Sequence, residues 1–230
     1  MTGWELLVSR RNIHLFPETS DLSRPFGRFF GSHSWFRPGQ IVEISGLLEL
    51  GIINLIVECI VIATIPKSFG GLDTCVGIID TDGNILVERL YSAIKCQVGD
   101  EKTPDLMKKI QLARTLDEYQ FTDALLDTPD VGMLVISSIS FPIRKSSVHR
   151  IIKNTVDRLQ TLASSGMIVL FTSHVSQVPG SLWNYHPTHG TELTFMCDTR
   201  IMIYSDKEKI YARVSEPTLE KEMVIELDGY

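Results

Sequence analysis

Two glycines five positions apart, Gly46 and Gly51, end one apolar run and open a longer one in Gly46-Leu47-Leu48-Glu49-Leu50-Gly51-Ile52-Ile53. A loop that grips phosphate between a strand and a helix needs Gly-x-x-x-x-Gly-Lys-Ser/Thr. The glycines let backbone amides wrap the phosphates, the lysine neutralises their charge and the hydroxyl holds magnesium. Here Ile52 stands in the lysine position and Ile53 in the hydroxyl position, and Glu49 adds negative charge where an anion would sit. Taken alone, two glycines at this spacing also fit an ordinary strand-turn-helix.

A second segment bears on the same chemistry. Met133-Leu134-Val135-Ile136 leads to Ser137, where an ATP site places an aspartate that organises magnesium. Lysine, hydroxyl and carboxylate are therefore all missing. Magnesium-ATP binding is expected to be very weak, and hydrolysis is not expected.

The elements that must carry these positions alternate. Gln40 to Ser45 is the expected first strand, followed by a buried helix to about Thr64. Cys75 to Ile79 is a second strand ending at Asp80-Thr81-Asp82, Met133 to Ile136 a third and Met167 to Thr172 a fourth. Between them Asn84 to Lys95, Leu116 to Leu126 and Val148 to Ala163 carry apolar residues at helical spacing. Such alternation predicts a mostly parallel sheet covered by helices. The pattern then changes. Ile201 to Tyr204 and Ile210 to Val214 flank the charged Ser205 to Lys209 as an antiparallel C-terminal hairpin, and Met223 to Leu227 adds a last strand.

A chain of 230 residues can bury one sizeable core, and an apolar fraction of 43% with 22% charged residues is ordinary globular usage. Cys59, Cys75, Cys96 and Cys197 lie too far apart for a metal or redox motif, so buried free thiols in a reducing compartment are expected. No basic region leads into an apolar stretch at the N-terminus, which points to cytosol or nucleus. Leu47 to Ile65 is nearly as long as a membrane span, but Glu49, Asn54 and Glu58 interrupt it, and a strand turning into a buried helix explains it better. A formal net charge of −6 opposes tight, independent binding to nucleic acid.

Ile65-Pro66-Lys67-Ser68-Phe69-Gly70-Gly71-Leu72 with Gly77-Ile78-Ile79-Asp80-Thr81-Asp82 is the block that carries a family resemblance. Val169 to His174, Arg213-Val214-Ser215-Glu216-Pro217 and the closing Asp228-Gly229 support it in the right order. From about residue 38 to its end the chain resembles the eukaryotic paralogues of the RecA-family strand-exchange recombinase, closest to the small X-ray-repair type. The resemblance implies a RecA-like α/β P-loop core over residues 39–230, with a mostly parallel sheet, helices on both faces and a degenerate nucleotide site at Gly46, Gly51, Ile52, Ile53 and Ser137. Residues 1–38 form a separate N-terminal segment, a candidate partner-docking arm.

The same resemblance implies a nuclear, non-catalytic subunit of homologous recombination. It would pair with a P-loop-intact paralogue, engage the recombinase filament on single-stranded DNA and help it assemble or remodel. The subunit would need no cofactor of its own, because ATP and magnesium would be held by the partner. Ser215, Glu216 and Pro217 fall where relatives cap a neighbour's ATP; an ordinary strand-ending turn is the alternative. Asp82 matches the carboxylate that polarises the attacking water, here reduced to a strand-end cap or hydrogen-bond acceptor. His174 stands where relatives place a phosphate-sensing glutamine, though a surface or core histidine explains it as well.

DNA-contacting loops of the family map onto Phe141 to Ser147 and roughly Ser176 to Thr194. The first offers Arg144 and Lys145, continued by Arg150, Lys153 and Arg158 on one face of the next helix, unless that face is simply solvated. The second holds Trp183, Tyr185, His186 and His189; aromatics stack on unpaired bases, and two histidines alone make a weak metal site, so no metal is expected. Phe26, Phe29, Phe30, Trp35 and Phe36 crowd with Arg24, Arg28 and Arg37, the composition of an interface hot spot. Phe26 to Trp35 is the expected docking segment, with packing on its own sheet as the alternative. A different class of function, a pseudo-ATPase scaffold in a complex unrelated to DNA, fits the same losses, and an enzyme with an unorthodox nucleotide site is a third reading.

Overall fold

The computed structural model describes residues 37–46, 51–140, 142, 149–177, 185–187, 193, 195–206, 209–216 and 221–227. In chain order these form β1 (Ile41–Gly46), α1 (Ile52–Thr64), β2 (Val76–Asp80), α2 (Val87–Val98), α3 (Thr103–Met107), β3 (Ile110–Arg114), α4 (Glu118–Leu126) and β4 (Met133–Ser137). Then follow α5 (His149–Ser164), β5 (Ile168–Gln177), β6 (Tyr185–Pro187), β7 (Thr199–Asp206), β8 (Lys209–Glu216) and β9 (Lys221–Leu227).

One sheet gathers the strands in the order β3-β2-β4-β5-β1-β7-β8-β9, with β6 paired to β5. The pairs from β3 across to β7 are parallel, whereas β7 with β8 and β8 with β9 are antiparallel. This is the mixed sheet with a C-terminal hairpin that the sequence predicts. Every residue of β1, β2 and β4 is buried, because helices cover both faces and leave no side of these strands to solvent. Val42, Ile44, Val76 and Ile78 pack with α1, α2 and α3 on one face. Ile41, Ile79, Leu134 and Phe171 pack with α4 and α5 on the other.

The apolar run that resembles a membrane span is α1, 13 residues long. Its isoleucines and valines are weak helix formers, each costing up to ~0.7 kcal/mol against alanine. Burying each stabilises by ~1.5–3 kcal/mol, so packing wins. Among the described residues no helix is long and apolar enough to cross a membrane.

Three elements were not foreseen, one of them β6, which falls where a loop from Ser176 to Thr194 is expected. Helix α3 and strand β3 fill the stretch between α2 and α4, so Met133–Ser137 is the fourth strand along the chain and not the third. The cysteine expectation also needs correction. Cys59 and Cys197 are buried free thiols, but Cys75 and Cys96 are exposed. Cys75 precedes its strand, and Cys96 lies on the solvent side of an amphipathic helix, α2.

Candidate functional site

Open parallel sheets bind ligands beyond the carboxyl ends of their strands. Gly46, Asp80 and Ser137 end β1, β2 and β4 there. Gly46 has φ 154°, and a Cβ on it would come within 2.5 Å of the Ile203 carbonyl oxygen and 3.0 Å of Ile52 Cδ1. Only glycine fits between β7 and the isoleucine leaning over it. Gly51 takes φ 80° to begin α1 without a side-chain cap. Residues 47–50, Glu49 included, lie outside the described residues.

Ile52 is buried in the core between α1 and the sheet, and Ile53 packs partly buried against the same cluster. A magnesium-ATP complex does not fit this donor set. Two contacts of ~1.5–3 kcal/mol each have no counterpart at the lysine and hydroxyl positions. Together they amount to roughly 10²- to 10⁴-fold in affinity.

Ser137, fully buried, donates from Oγ to Asp82 Oδ1 at 3.0 Å. That carboxylate also accepts the Asn84 N–H, which makes Asp82 the hydrogen-bond acceptor expected of a strand end. Asp80 is buried and accepts from Gly83 N–H at 2.9 Å and Ile85 N–H at 3.4 Å, with Arg114 Nε 3.5 Å away. Burial raises the Asp80 carboxyl above the usual range, and the hydrogen bond and charge of Asp82 add to the rise. Thr81 Oγ lies 2.7 Å from the carbonyls of both Ser137 and Ser138, clamping β4 to the end of β2. Ser138 has φ 63°, held by its N–H donating to Thr172 Oγ at 2.7 Å. Asp82 Oδ2 and Ser138 Oγ are buried without a hydrogen-bond partner among the described residues. Ser137, at the end of β4, thus turns inward to tie down the neighbouring acid.

A buried polar group crosses the sheet. Glu43, in the middle of β1, accepts from Ser173 Oγ at 2.5 Å and pairs with Arg200 Nε at 2.9 Å. It joins β5, β1 and β7, and Glu43 is paired in register with Arg200. An acid inside Ile41-Val42-Glu43-Ile44 was the available signal, and Arg114 beside Asp80 was missed with strand β3.

The remaining candidates are dispersed. Ser215 and Glu216 are the last residues of β8, paired with Glu222 and Lys221. Pro217 lies outside the described residues, as do Arg144, Lys145, Phe26, Phe29, Phe30 and Trp35. Arg150 and Lys153 are on α5, and Lys153 is exposed. Arg158 is not a free cation on that face. Its guanidinium donates to the Leu125 and Leu126 carbonyls at 3.1 and 2.9 Å, closing the C-terminus of α4. Tyr185 and His186 are in β6, paired with Gln177 and Ser176. His174 is partly buried, and its N–H donates to Ser140 Oγ.

No protein-family model matches the chain. It is 24% identical over 200 residues to the DNA repair protein RAD51 homolog 2 of Mus musculus, a match that covers 82% of this chain and 56% of that protein. Against the protein of the same name from Homo sapiens it is 24% identical over 168 residues, covering 68% of this chain and 44% of the relative. The chain spans about half the length of the curated relatives it matches. With the sheet order and the helices on both faces, this likeness identifies the described core as RecA-like α/β.

Proposed function

We propose that this chain is a nucleotide-poor, non-catalytic paralogue subunit serving DNA repair by homologous recombination. It pairs with a P-loop-intact paralogue in the nucleus and helps the recombinase filament assemble or remodel on single-stranded DNA. The observation that carries the reading is the pairing of a RecA-like frame with Ile52 in the core and Ser137 bound to Asp82. Its relatives are DNA repair proteins by name. ATP and magnesium then belong to the partner, and this chain contributes surface.

The open edge of the sheet supports partner binding. β3 pairs with β2 alone among the described residues, and a small recess of about 220 Å³ lies beside it, walled by Gly77, Ala113 and Ala124. Unpaired strand edges accept a strand from another chain, with side chains entering pockets at alternate positions. The aromatic residues Phe26, Phe29 and Phe30 are the corresponding donor on this chain.

The test is co-purification of recombinase paralogues with the full chain, comparing wild type with Phe26→Ala/Phe29→Ala. A P-loop-intact paralogue retained by wild type and lost by the variant is the expected result. Absence of any recombination protein would leave the second reading, a pseudo-ATPase scaffold elsewhere. The net charge of −6 and the consumption of Arg158 inside the fold favour that reading against direct DNA contact. Salt-dependent DNA binding by the assembled complex, but not by this chain alone, separates the two.

A further inference from the structure

Arg37, Pro38, Gly39 and Gln40 form a tight turn immediately before β1. The Gln40 N–H donates to the Arg37 carbonyl at 3.1 Å, Gly39 has φ 85°, and the Arg37 N–H donates to Gln40 Oε1 at 3.1 Å. Proline followed by a positive-φ glycine is the residue order of a type II turn. The turn sets Arg37 and Pro38 at the end of the sheet from which β1 departs, beside the residues that lead into β2, β4 and β5.

A groove of about 540 Å³ opens there, at the opposite end of the sheet from Gly46 and Ser137. Pro38 is on its rim, and Leu72, Val131, Met167 and Ile168 give it apolar walls. Of its two acids, Asp73 is engaged by Lys109, whereas Asp130 is exposed and has no ion pair among the described residues. The chain leading into the turn reads Arg28-Phe29-Phe30-Gly31-Ser32-His33-Ser34-Trp35-Phe36. It ends in two aromatics within two residues of Arg37, a reach of roughly 7 Å at full extension, and it carries the cation that Asp130 lacks.

We propose that residues 28–36 of this same chain fold back into the groove, with Trp35 and Phe36 seated on its apolar walls and an arginine of the segment facing Asp130. The arm is thereby anchored at its base on its own core. Phe26, outside the docked stretch, remains as a part that can reach another molecule. The docking holds whether or not the recombination reading does, because it needs no partner.

Cys75 lines this groove, and Cys96 is exposed on α2, so the two thiols are a reporter and its internal control. Both are followed by alkylation of the folded full-length chain with iodoacetamide and peptide mass spectrometry. Relative to Cys96, Cys75 should react about tenfold faster in Trp35→Ala/Phe36→Ala than in wild type, the ratio that 1.4 kcal/mol of docking free energy sets. Asp130→Arg, a change at an exposed rim position that leaves the core intact, should move it the same way. Equal relative rates in wild type and both variants would overturn the docking. So would protection that grows with protein concentration, which would mean that a second copy supplies the segment. The readout involves no other protein, so failure here leaves the co-purification result standing, and the reverse also holds.

Discussion

Ser137 Oγ lies 3.0 Å from Asp82 Oδ1, and the hydrogen bond between them joins the end of β4 to the turn after β2. In an ATP site these two positions would face a metal and a water. Here one satisfies the other. Ser137→Ala is expected to lower stability by ~1–3 kcal/mol, the cost of leaving a buried acceptor short of its donor. Ser137→Asp should cost more, since it adds a third acid beside Asp80 and Asp82 where Arg114, 3.5 Å from Asp80, is already engaged. Urea denaturation at pH 7 ranks the three proteins. An aspartate variant as stable as wild type would mean that a cation is bound there after all.

Asp80 makes stability depend on pH in a direction opposite to that of a salt-bridged acid. Its carboxyl is raised in the folded state, first by burial and then by Asp82. Below the ordinary aspartate range both folded and unfolded chains hold the proton and nothing is lost. The penalty grows as pH rises through the unfolded value and is complete above the folded one. Asp80→Asn, which keeps one acceptor oxygen and offers an N–H to Asp82, should therefore gain stability relative to wild type as pH goes from 4 to 7. Denaturant midpoints of the two proteins across that range check the sign.

Glu43 is fully buried and depends on Arg200, whose side chain is 24% exposed. Arg200→Met alone should destabilise by ~3–5 kcal/mol, because it strands a charge in the core. Glu43→Gln with Arg200→Met should recover much of that loss. A double-mutant cycle on thermal unfolding separates the coupling from the cost of each truncation. Additive losses would show that the pair is not interdependent.

Arg158 and Lys153 test which cations on α5 are structural. Arg158→Ala removes two hydrogen bonds to the last carbonyls of α4, which lie near the surface and can turn to water, and should cost ~0.5–1.5 kcal/mol in stability. It should leave the salt dependence of DNA binding by any complex unchanged. Lys153→Ala should do the reverse, with stability held and the salt slope reduced by about one if this exposed side chain meets a phosphate. A loss of slope from Arg158→Ala would require its guanidinium to leave α4 on binding.

What the sequence made legible follows from where each signal resides. The buried strands and α1 stand out because burial on both faces favours largely apolar runs, and Ile41–Gly46, Val76–Asp80 and Met133–Ser137 supply them apart from Glu43 and their polar ends. Strand β3 did not stand out. At the edge of the sheet only Ile110 and Leu112 need be apolar, and Gln111, Ala113 and Arg114 face solvent. The strand-to-helix turn from Gly46 to Gly51 was legible because its glycine spacing is local. The pairing of Glu43 with Arg200, 157 residues apart, was not, since it exists only once β7 lies beside β1. The role of Arg158 was hidden for the same reason: its partners are backbone carbonyls of another helix.

The proposed lack of a phosphate grip can be tested directly. Titration of the full chain with magnesium-ATP, followed by calorimetry, should give no saturable binding in the micromolar range. Two contacts of ~1.5–3 kcal/mol have no residue to make them. Restoring them in Ile52→Lys/Ile53→Thr/Ser137→Asp is not expected to restore binding at little cost. Ile52 is 1% exposed, and its side chain packs over Gly46 in the core. A lysine there must either bury its charge or pull the start of α1 away from the sheet, and an unpaired buried charge destabilises by several kcal/mol. The variant should therefore unfold at markedly lower denaturant than wild type before it binds nucleotide. If instead it is stable and binds ATP, the helix start can swing outward, and the isoleucines are replacements on an intact loop and not part of a core rebuilt around them.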